Sequence, residues 1–418
     1  MSEATARASS PRRSTAFWVV LLAAGGTFAV TMGARQSMGL FLNTLNTSTG
    51  LGLASISLAF AFGQLCWGLT QPIAGMVADR FGAGRVIVAG VLLVALGTAL
   101  VPYMTTTAGL ILAIGVLAAG GAGMAGVSVL MAATTRLVPA ERRGIATGLV
   151  NAGGSFGQFV FAPITQGLTA VAGWVVALQG LALLSLLALP AAWVLRGHSA
   201  GPAVPGAKKP ETTREAIRRA LHDPSYRLLG AGFFVCGFHV AFIATHLPGV
   251  VAACQLPPSV GAWALAIVGL FNILGSLTIG WAIGYQGGRW RMKSLLSLIY
   301  AARGLAVVVF LFAPKTEAVV LVFAAFIGLT YLSTVPPTAG LVAKFYGTAH
   351  MATLFGFVML SHQIGGFLGA WLGGKSFEWT GSYDWMWYAD IVLAAGAALI
   401  HLPIREVALP PRLAPAAA

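Results

Sequence analysis

Charge is what this sequence has least of. Asp, Glu, Lys and Arg make up 9% of its 418 residues, and only 11 of these are acidic against 25 basic. A soluble domain carries about 25% charged residues, so this composition excludes an ordinary soluble enzyme or binding module. Cysteine is scarce too: Cys66, Cys236 and Cys254 lie in or at the ends of apolar stretches, without metal-ligand spacing or a disulfide framework. No Gly-x-x-x-x-Gly-Lys-Ser/Thr loop occurs, so coupling to ATP hydrolysis is unsupported. No nucleophile, metal set or acid pair stands at catalytic spacing, and no enzyme, cofactor or metal site is expected.

What is present is apolar: 57% of residues are hydrophobic and the mean hydropathy is +0.84. A bilayer crossing needs about 20 apolar residues at 1.5 Å rise each, and about twelve stretches qualify. The first, from Phe17 to Leu42, is too long for a signal peptide and has no Ala-x-Ala-type cleavage site, so it reads as an uncleaved span. The expected fold is an all-α membrane protein of twelve transmembrane helices. The net charge of +14 would suit a nucleic acid partner if it were clustered on one folded surface. Instead, 21 of the 25 basic residues fall in the tails and in the loops that follow even-numbered spans, and only Lys315 and Lys375 fall on the other side. That asymmetry is the positive-inside rule. It places both termini and the central loop in the cytoplasm, makes membrane lipid the surrounding partner, and removes the need for nucleic acid.

The polar stretch "RGHSAGPAVPGAKKPETTREAIRRALHDPSYR", Arg196 to Arg227, divides the spans six and six. The expected organisation is a cytoplasmic tail at 1–16, a six-helix half at 17–195, a linker at 196–225, a second half at 226–404 and a tail at 405–418. At about 30 residues the linker is too short for the folded output domain of a receptor. Its Thr212 to His222 part reads as an amphipathic helix presenting Arg214, Arg218 and Arg219 to anionic headgroups. The halves repeat. "GMVADRFGAGRVIVAG" after the second span is echoed about 205 residues later by "GWAIGYQGGRWRMKSLL", and "GSFGQFVFAPITQGLTAVAGW" by "GGFLGAWLGGKSFEWTGSYDW". Six plus six spans in the same orientation make two parallel repeats about an axis normal to the membrane, an arrangement that holds substrate between the halves near the midplane.

Gly75, Asp79, Arg80, Gly82 and Arg85 in "GMVADRFGAGR" resemble the signature of the major facilitator superfamily between its second and third helices, with one residue inserted before the last Arg. The resemblance extends over the whole chain through span count, topology and repeat. It implies the major facilitator fold, transport by alternating access, a plasma membrane (bacterial inner membrane) location and a monomeric functional unit. It also implies a gating role for Asp79, Arg80 and Arg85 as a cytoplasmic latch, the Asp capping a helix N-terminus of the other half; such a contact contributes about 0.3–1 kcal/mol, weak enough to open. Gly284 and Tyr285 stand where Asp79 and Arg80 do, so the latch is assigned to the first half alone. Within the superfamily, "GARQSMGLFL" is similar to the first helix of the monocarboxylate transporter and oxalate/formate antiporter group, with Arg35 at the position of that group's lysine. The pattern departs in the eighth span. Asn272 and Ser276 replace an Asp and an Arg of monocarboxylate transporters, so the usual proton-coupling pair does not carry over.

An ionisable group at membrane depth is a functional candidate by default. Arg35 lies about 18 residues beyond Phe17, roughly 27 Å along a helix, and no acid inside the membrane in the first half can neutralise it. Its planar fork suits a carboxylate bidentately; the alternative is snorkelling to the outer interface. His239, Asn272 and His362 each fall about 11 or 12 residues into the seventh, eighth and eleventh spans, near the midplane by the same rise. They are expected in one cavity, with Gln363, Tyr331 and Arg303 as further members. For each histidine the alternative is a neutral imidazole bonded to a neighbouring helix, and for Arg303 a role on helix carbonyls. His239 and His362 are candidates for carrying a proton, since histidine is easily moved across neutral pH. Asp390 reads as an interfacial acid. The leading expectation is therefore a secondary transporter of a small organic anion, a monocarboxylate, either proton-coupled, exchanging or facilitative. The rival is an exporter of drugs or other metabolites, for which membrane-embedded acids along the cavity-lining spans would be expected and are not found.

Overall fold

The computed structural model describes residues 11–138, 143–196, 213–284, 290–347 and 351–407. Most of the linker and the outer parts of both tails lie outside the described residues. The first half begins with α1 (Pro11–Ser37), which runs through the tight turn Met38–Phe41 into α2 (Leu42–Thr49). Next come α3 (Leu53–Phe81), α4 (Ala83–Leu100), the short α5 (Thr107–Leu110), a wide-turn segment Ile111–Ala119, α6 (Gly120–Met124), α7 (Val127–Leu137), α8 (Arg143–Ser185) and α9 (Leu189–Val194). The second half contains α10 (Thr213–His222), α11 (Pro224–Ala253), α12 (Pro258–Gly284), α13 (Met292–Phe312), α14 (Glu317–Thr330), α15 (Val335–Tyr346), α16 (Met351–Thr380) and α17 (Asp384–His401).

Among the described residues, ten helical stretches are long and apolar enough to cross a membrane. One of them, Gly148–Val194, is 47 residues long, about twice what one crossing needs. It turns at Gly173, whose φ of 83° is open to glycine and strained for other residues. α17 falls below the apolar threshold because Asp384, Asp390 and His401 dilute its 18 residues. With Gly173 dividing one stretch and α17 added, the count is consistent with twelve crossings.

The glycine-rich repeats explain how the helices pack. In the first half Gly153 and Gly157 of α8 sit directly on the backbone of Gly25 and Ala29 of α1, and a Cβ on Gly33 would stand 2.9 Å from the Gly157 carbonyl oxygen. In the second half Gly365 and Gly369 of α16 sit on the backbone of Phe234 and Phe238 of α11, and Gly237 on that of His362. Without side chains between them the backbones approach closely, which suits a membrane interior where association depends on packing rather than on hydrophobic burial.

The two halves meet unevenly. At the end remote from the linker, Leu53 and Ser57 of α3 face Gly374 of α16, and Gly39 faces Ala244 and Thr245 of α11. One apolar cluster there takes Met38, Phe41, Leu42 and Leu45 from the first half with Ala241 and Ala370 from the second. At the linker end the cores separate. The cluster of Phe17, Ala74, Ala78 and Ala83 gains only Met359 from the second half, and the cluster of Tyr226, Leu296, Phe345 and Tyr346 belongs wholly to the second half. Among the described residues, the bundle is therefore sealed at one end and its apolar cores are parted at the linker end. α10 forms over Thr213–His222, with buried Ala216 and Ala220 turned inward and Arg214 and Arg218 exposed, while Arg219 is half-buried with its guanidinium 5.2 Å from the centre of the Tyr346 ring instead of facing outward.

Gly157→Val is expected to lower stability by about 1–3 kcal/mol through overpacking, while Gly167→Ala, where a Cβ meets nothing within 4 Å, leaves it unchanged or raises it. Thermal unfolding of the two purified variants in detergent checks the contrast.

Candidate functional site

Arg35 occupies the last turn of α1. Its Nη2 donates to Gln64 Oε1 at 2.5 Å, and its guanidinium lies 4.8 Å from the centre of the Trp67 ring. Both partners are on α3, and Tyr331 of the second half is an electrostatic neighbour. The side chain thus turns into the bundle rather than outward. It is half-buried and lines a cavity with Gln36, Met38, Phe60, Gln64 and Thr245. That cavity is small and partly open, and no acid lines it. Arg35 takes part in none of the ion pairs found among the described residues. A neutral amide and a π face soften the cost of holding a guanidinium there, but neither cancels its charge.

Opposite Arg35 a helix is broken. The expected tenth span, Ala318 to Leu341, divides into α14 and α15 with residues 331–334 non-helical between them. Pro336 and Pro337 are the cause: each lacks an N–H, and each ring crowds the carbonyl four residues before it. The break frees backbone groups inside the membrane, where unsatisfied ones are costly. Arg303 of α13 meets two of them: its Nη2 donates to the carbonyl oxygens of Thr330, by a very short contact, and of Tyr331, at 2.9 Å. Asn272 of α12 meets a third, its Oδ1 accepting from the Leu332 N–H at 3.0 Å. The Asn272 Nδ2 also donates across the halves to Ser155 Oγ at 2.8 Å. Asn272 and Arg303 therefore hold the broken helix and do not line the Arg35 cavity, which corrects the single-cavity expectation for both.

His239 is displaced from that expectation as well. It lies 3.3 Å from Asp390 by Nε2 and 3.5 Å from Arg303 Nη1 by Nδ1. All three are 1–3% exposed. They line a second cavity with Val240, Ile243, Val307, Ile327 and Tyr331. Asp390 is thus a buried member of a charge cluster and not an interfacial acid. Tyr331 belongs to both places. It lines the second cavity, its hydroxyl donates to the Val240 carbonyl at 3.0 Å, and Gln36, which lines the first cavity, is its neighbour.

His362 is buried on α16 with its ring 4.9 Å from Phe233, and neither ring nitrogen has a hydrogen-bond partner among the described residues. It is an electrostatic neighbour of both Arg35 and Arg303. The Gln363 side chain packs on Gly68, one turn from Gln64, with both amide atoms likewise unpartnered. His246 is structural, its Nε2 bonded at 2.7 Å to the Ala370 carbonyl. Sequence reasoning missed Gln36, Gln64 and Trp67; a polar residue in the apolar run "FAFGQLCW" was the available signal. Of the expected latch, Arg80 is exposed beside the Phe81 ring and Arg85 is exposed, while the Asp79 side chain lies outside the described residues.

A sealed-and-parted pair of helical halves, with an arginine-lined cavity between them, defines a membrane transporter fold. The chain belongs to the Major Facilitator Superfamily, whose family model matches residues 20–370. It is 26% identical over 396 residues to monocarboxylate transporter 13 of Rattus norvegicus, covering 92% of this chain and 89% of that protein. It is 24% identical over 380 residues to the oxalate:formate antiporter of Oxalobacter formigenes, covering 88% and 87%. Its fold is similar to that of a bacterial homologue of the human lysosomal transporter Spinster in an inward-facing and occupied conformation, with a TM-score of 0.71, 14% identity, and coverage of 94% and 97%.

Arg303→Met is expected to destabilise the protein by about 3–5 kcal/mol, because it strands Asp390 and two carbonyls in the interior. The double variant Arg303→Met/Asp390→Leu is expected to recover part of that loss. Unfolding midpoints of the two in detergent test the order.

Proposed function

We propose that the chain moves a small organic anion, a monocarboxylate, across the plasma membrane by alternating access, with Arg35 as the anchor for the carboxylate. One observation carries this reading: Arg35 lines a partly open cavity between the halves, and its hydrogen-bond and ring partners are neutral. A carboxylate there gains a bidentate, charge-assisted pair and supplies the counter-ion that the described residues do not. Gln64 and Gln36 orient it, and Phe60 and Met38, which line the same cavity, receive its apolar part. The names of the two relatives, a monocarboxylate transporter and an oxalate:formate antiporter, support the class of substrate. His362 and Gln363, buried with no hydrogen-bond partner for their side chains among the described residues, are further candidates for contact with the anion.

In this reading the linker end faces the cytoplasm, the parted state delivers to or accepts from that side, and one chain is the working unit. Asp79, Arg80 and Arg85 then close the linker end when the halves meet there, consistent with the exposure of both arginines while it is open. Efflux of a hydrophobic metabolite is the rival.

The test is ligand-dependent thermal stability of purified protein in detergent against monocarboxylates, dicarboxylates, sugars and organic cations. A ligand that binds the folded state stabilises by RT ln(1 + [L]/Kd), about 2.7 kcal/mol at a hundred times Kd. Monocarboxylates are expected to stabilise the wild type and not Arg35→Ala. Stabilisation by cations alone, or an unchanged response in Arg35→Ala, rules the anion reading out.

A further inference from the structure

We propose that Asp390 and His239 form a proton-binding site inside the second half, and that a proton taken up by the Asp390 carboxylate strengthens anion binding at Arg35 through Arg303 and the broken helix carrying Tyr331. The coupling half of this inference rests on the anion reading; the proton site does not.

The argument begins with charge. Arg303, His239 and Asp390 are 2%, 3% and 1% exposed, and buried ionisable groups in a membrane interior mark relays or ion sites by default. The geometry fixes a direction. Arg303 has no acceptor lone pair to offer, so the Nδ1 of His239 that faces it accepts and the Nε2 carries the hydrogen, 3.3 Å from Asp390 Oδ1 but not hydrogen-bonded to it. Arg303 is thus charged, His239 neutral and Asp390 the counter-ion, which leaves the carboxylate as the group free to take a proton. The second cavity gives that carboxylate space on one side.

Among the described residues no second buried acid faces Asp390. α17 packs on α13, which presents Arg303 and Tyr300, on α11, which presents His239 and Cys236, and on α16, which presents His362, and Tyr331 lines the same cavity. On α17 itself the nearest ionisable groups are Tyr388 and Asp384, two and six residues before Asp390 and both exposed, and His401, three turns after it and stacked on Tyr300. Protonation forms one O–H bond on Asp390 with a proton from water and involves no other covalent change. Arg303 then has no anionic partner and leans on the carbonyls of Thr330 and Tyr331, which it already holds. Those carbonyls belong to the segment that carries the Tyr331 side chain toward Gln36 and Arg35.

Counting formal charges on Arg35, Arg303 and Asp390 shows why the sites should be coupled. The empty interior carries one net positive charge with Asp390 ionised. An anion alone takes it to zero and a proton alone to two, whereas both together restore the empty value. Each ligand therefore lowers the electrostatic cost of the other, and the coupling is reciprocal. This provides an electroneutral carrier without the Asp and Arg pair that Asn272 and Ser276 replace.

The experiment is infrared difference spectroscopy of the full chain in detergent, following the protonated-carboxyl stretch between about pH 5 and 8. It is joined to binding of acetate and lactate, read by thermal shift, over the same range. The wild type is expected to show a carboxyl band that grows as pH falls, disappears in Asp390→Asn and changes its midpoint in His239→Gln. Carboxylate affinity is expected to rise about fivefold or more toward low pH, in the usual range of coupling between sites, and to lose that dependence in Asp390→Asn. Should Asp390→Asn fail to fold, isotope labelling of aspartate in the wild type replaces it, since the chain has only Asp79, Asp223, Asp384 and Asp390. No titrating aspartate band, or one that survives Asp390→Asn, overturns the proton site and leaves the cluster a fixed structural pair. A band that titrates while carboxylate affinity ignores pH overturns the coupling. A titrating band with no carboxylate binding at any pH sinks the anion reading and leaves the proton site standing.

Discussion

The Arg303 guanidinium on the freed carbonyls of Thr330 and Tyr331 is the contact on which the arrangement of both cavities depends. A helix cannot be interrupted in a membrane unless its exposed backbone groups find partners, and the Pro336–Pro337 pair guarantees the interruption. Arg303 and Asn272 are the partners. Because Arg303 must be charged to do this, it needs a counter-ion of its own, and Asp390 with His239 fills that requirement from two other helices. Because the helix is interrupted, Tyr331 stands clear of a regular turn and reaches the first half. One proline pair thus accounts for a buried charge cluster, a second cavity and a tyrosine that lines it while lying near Arg35.

The contacts of Arg35 are of another kind. Gln64 and Trp67 hold it in position without neutralising it, so the charge stays available. Arg303 is held by two carbonyls and lies in the field of a nearby acid. The two arginines are the only cations of the chain that the positive-inside pattern leaves unassigned to either surface, and the structure gives them opposite roles.

The fold was legible because a membrane chain announces itself through composition. Hydropathy marked the crossings, the glycine-rich repeats marked the helix pairs, and the turn at Gly173 fell between the expected fifth and sixth spans. The site was legible only in part. Rise per residue gives depth, so His239, Asn272 and His362 could be set at one level. It does not give the direction in which a side chain points. In a soluble helix the apolar stripe would supply that direction, but spans apolar on every side carry little such signal, and His239 turned toward α13 and α17 instead of toward α1. Asp390 looked interfacial because it comes only about 9 Å along its helix. Neighbouring helices bury it at that depth, and no single-span reading can see them. The break in the tenth span was written in "STVPPT", yet its hydropathy is continuous.

The seal at the end remote from the linker is made of Met38, Phe41, Leu42 and Leu45 against Ala241 and Ala370, with no ion pair across it among the described residues. Parting it would bring water to that surface at about 25 cal/mol for each square ångström uncovered, and this cost is nearly independent of salt. The linker end is flanked instead by arginines, whose interactions are screened within about 8–10 Å at ordinary ionic strength. The two ends of the bundle are therefore made of different materials. Ionic strength acts on the arginine-flanked linker end and temperature acts on the apolar seal through the heat capacity of hydration, so each end answers to a different variable.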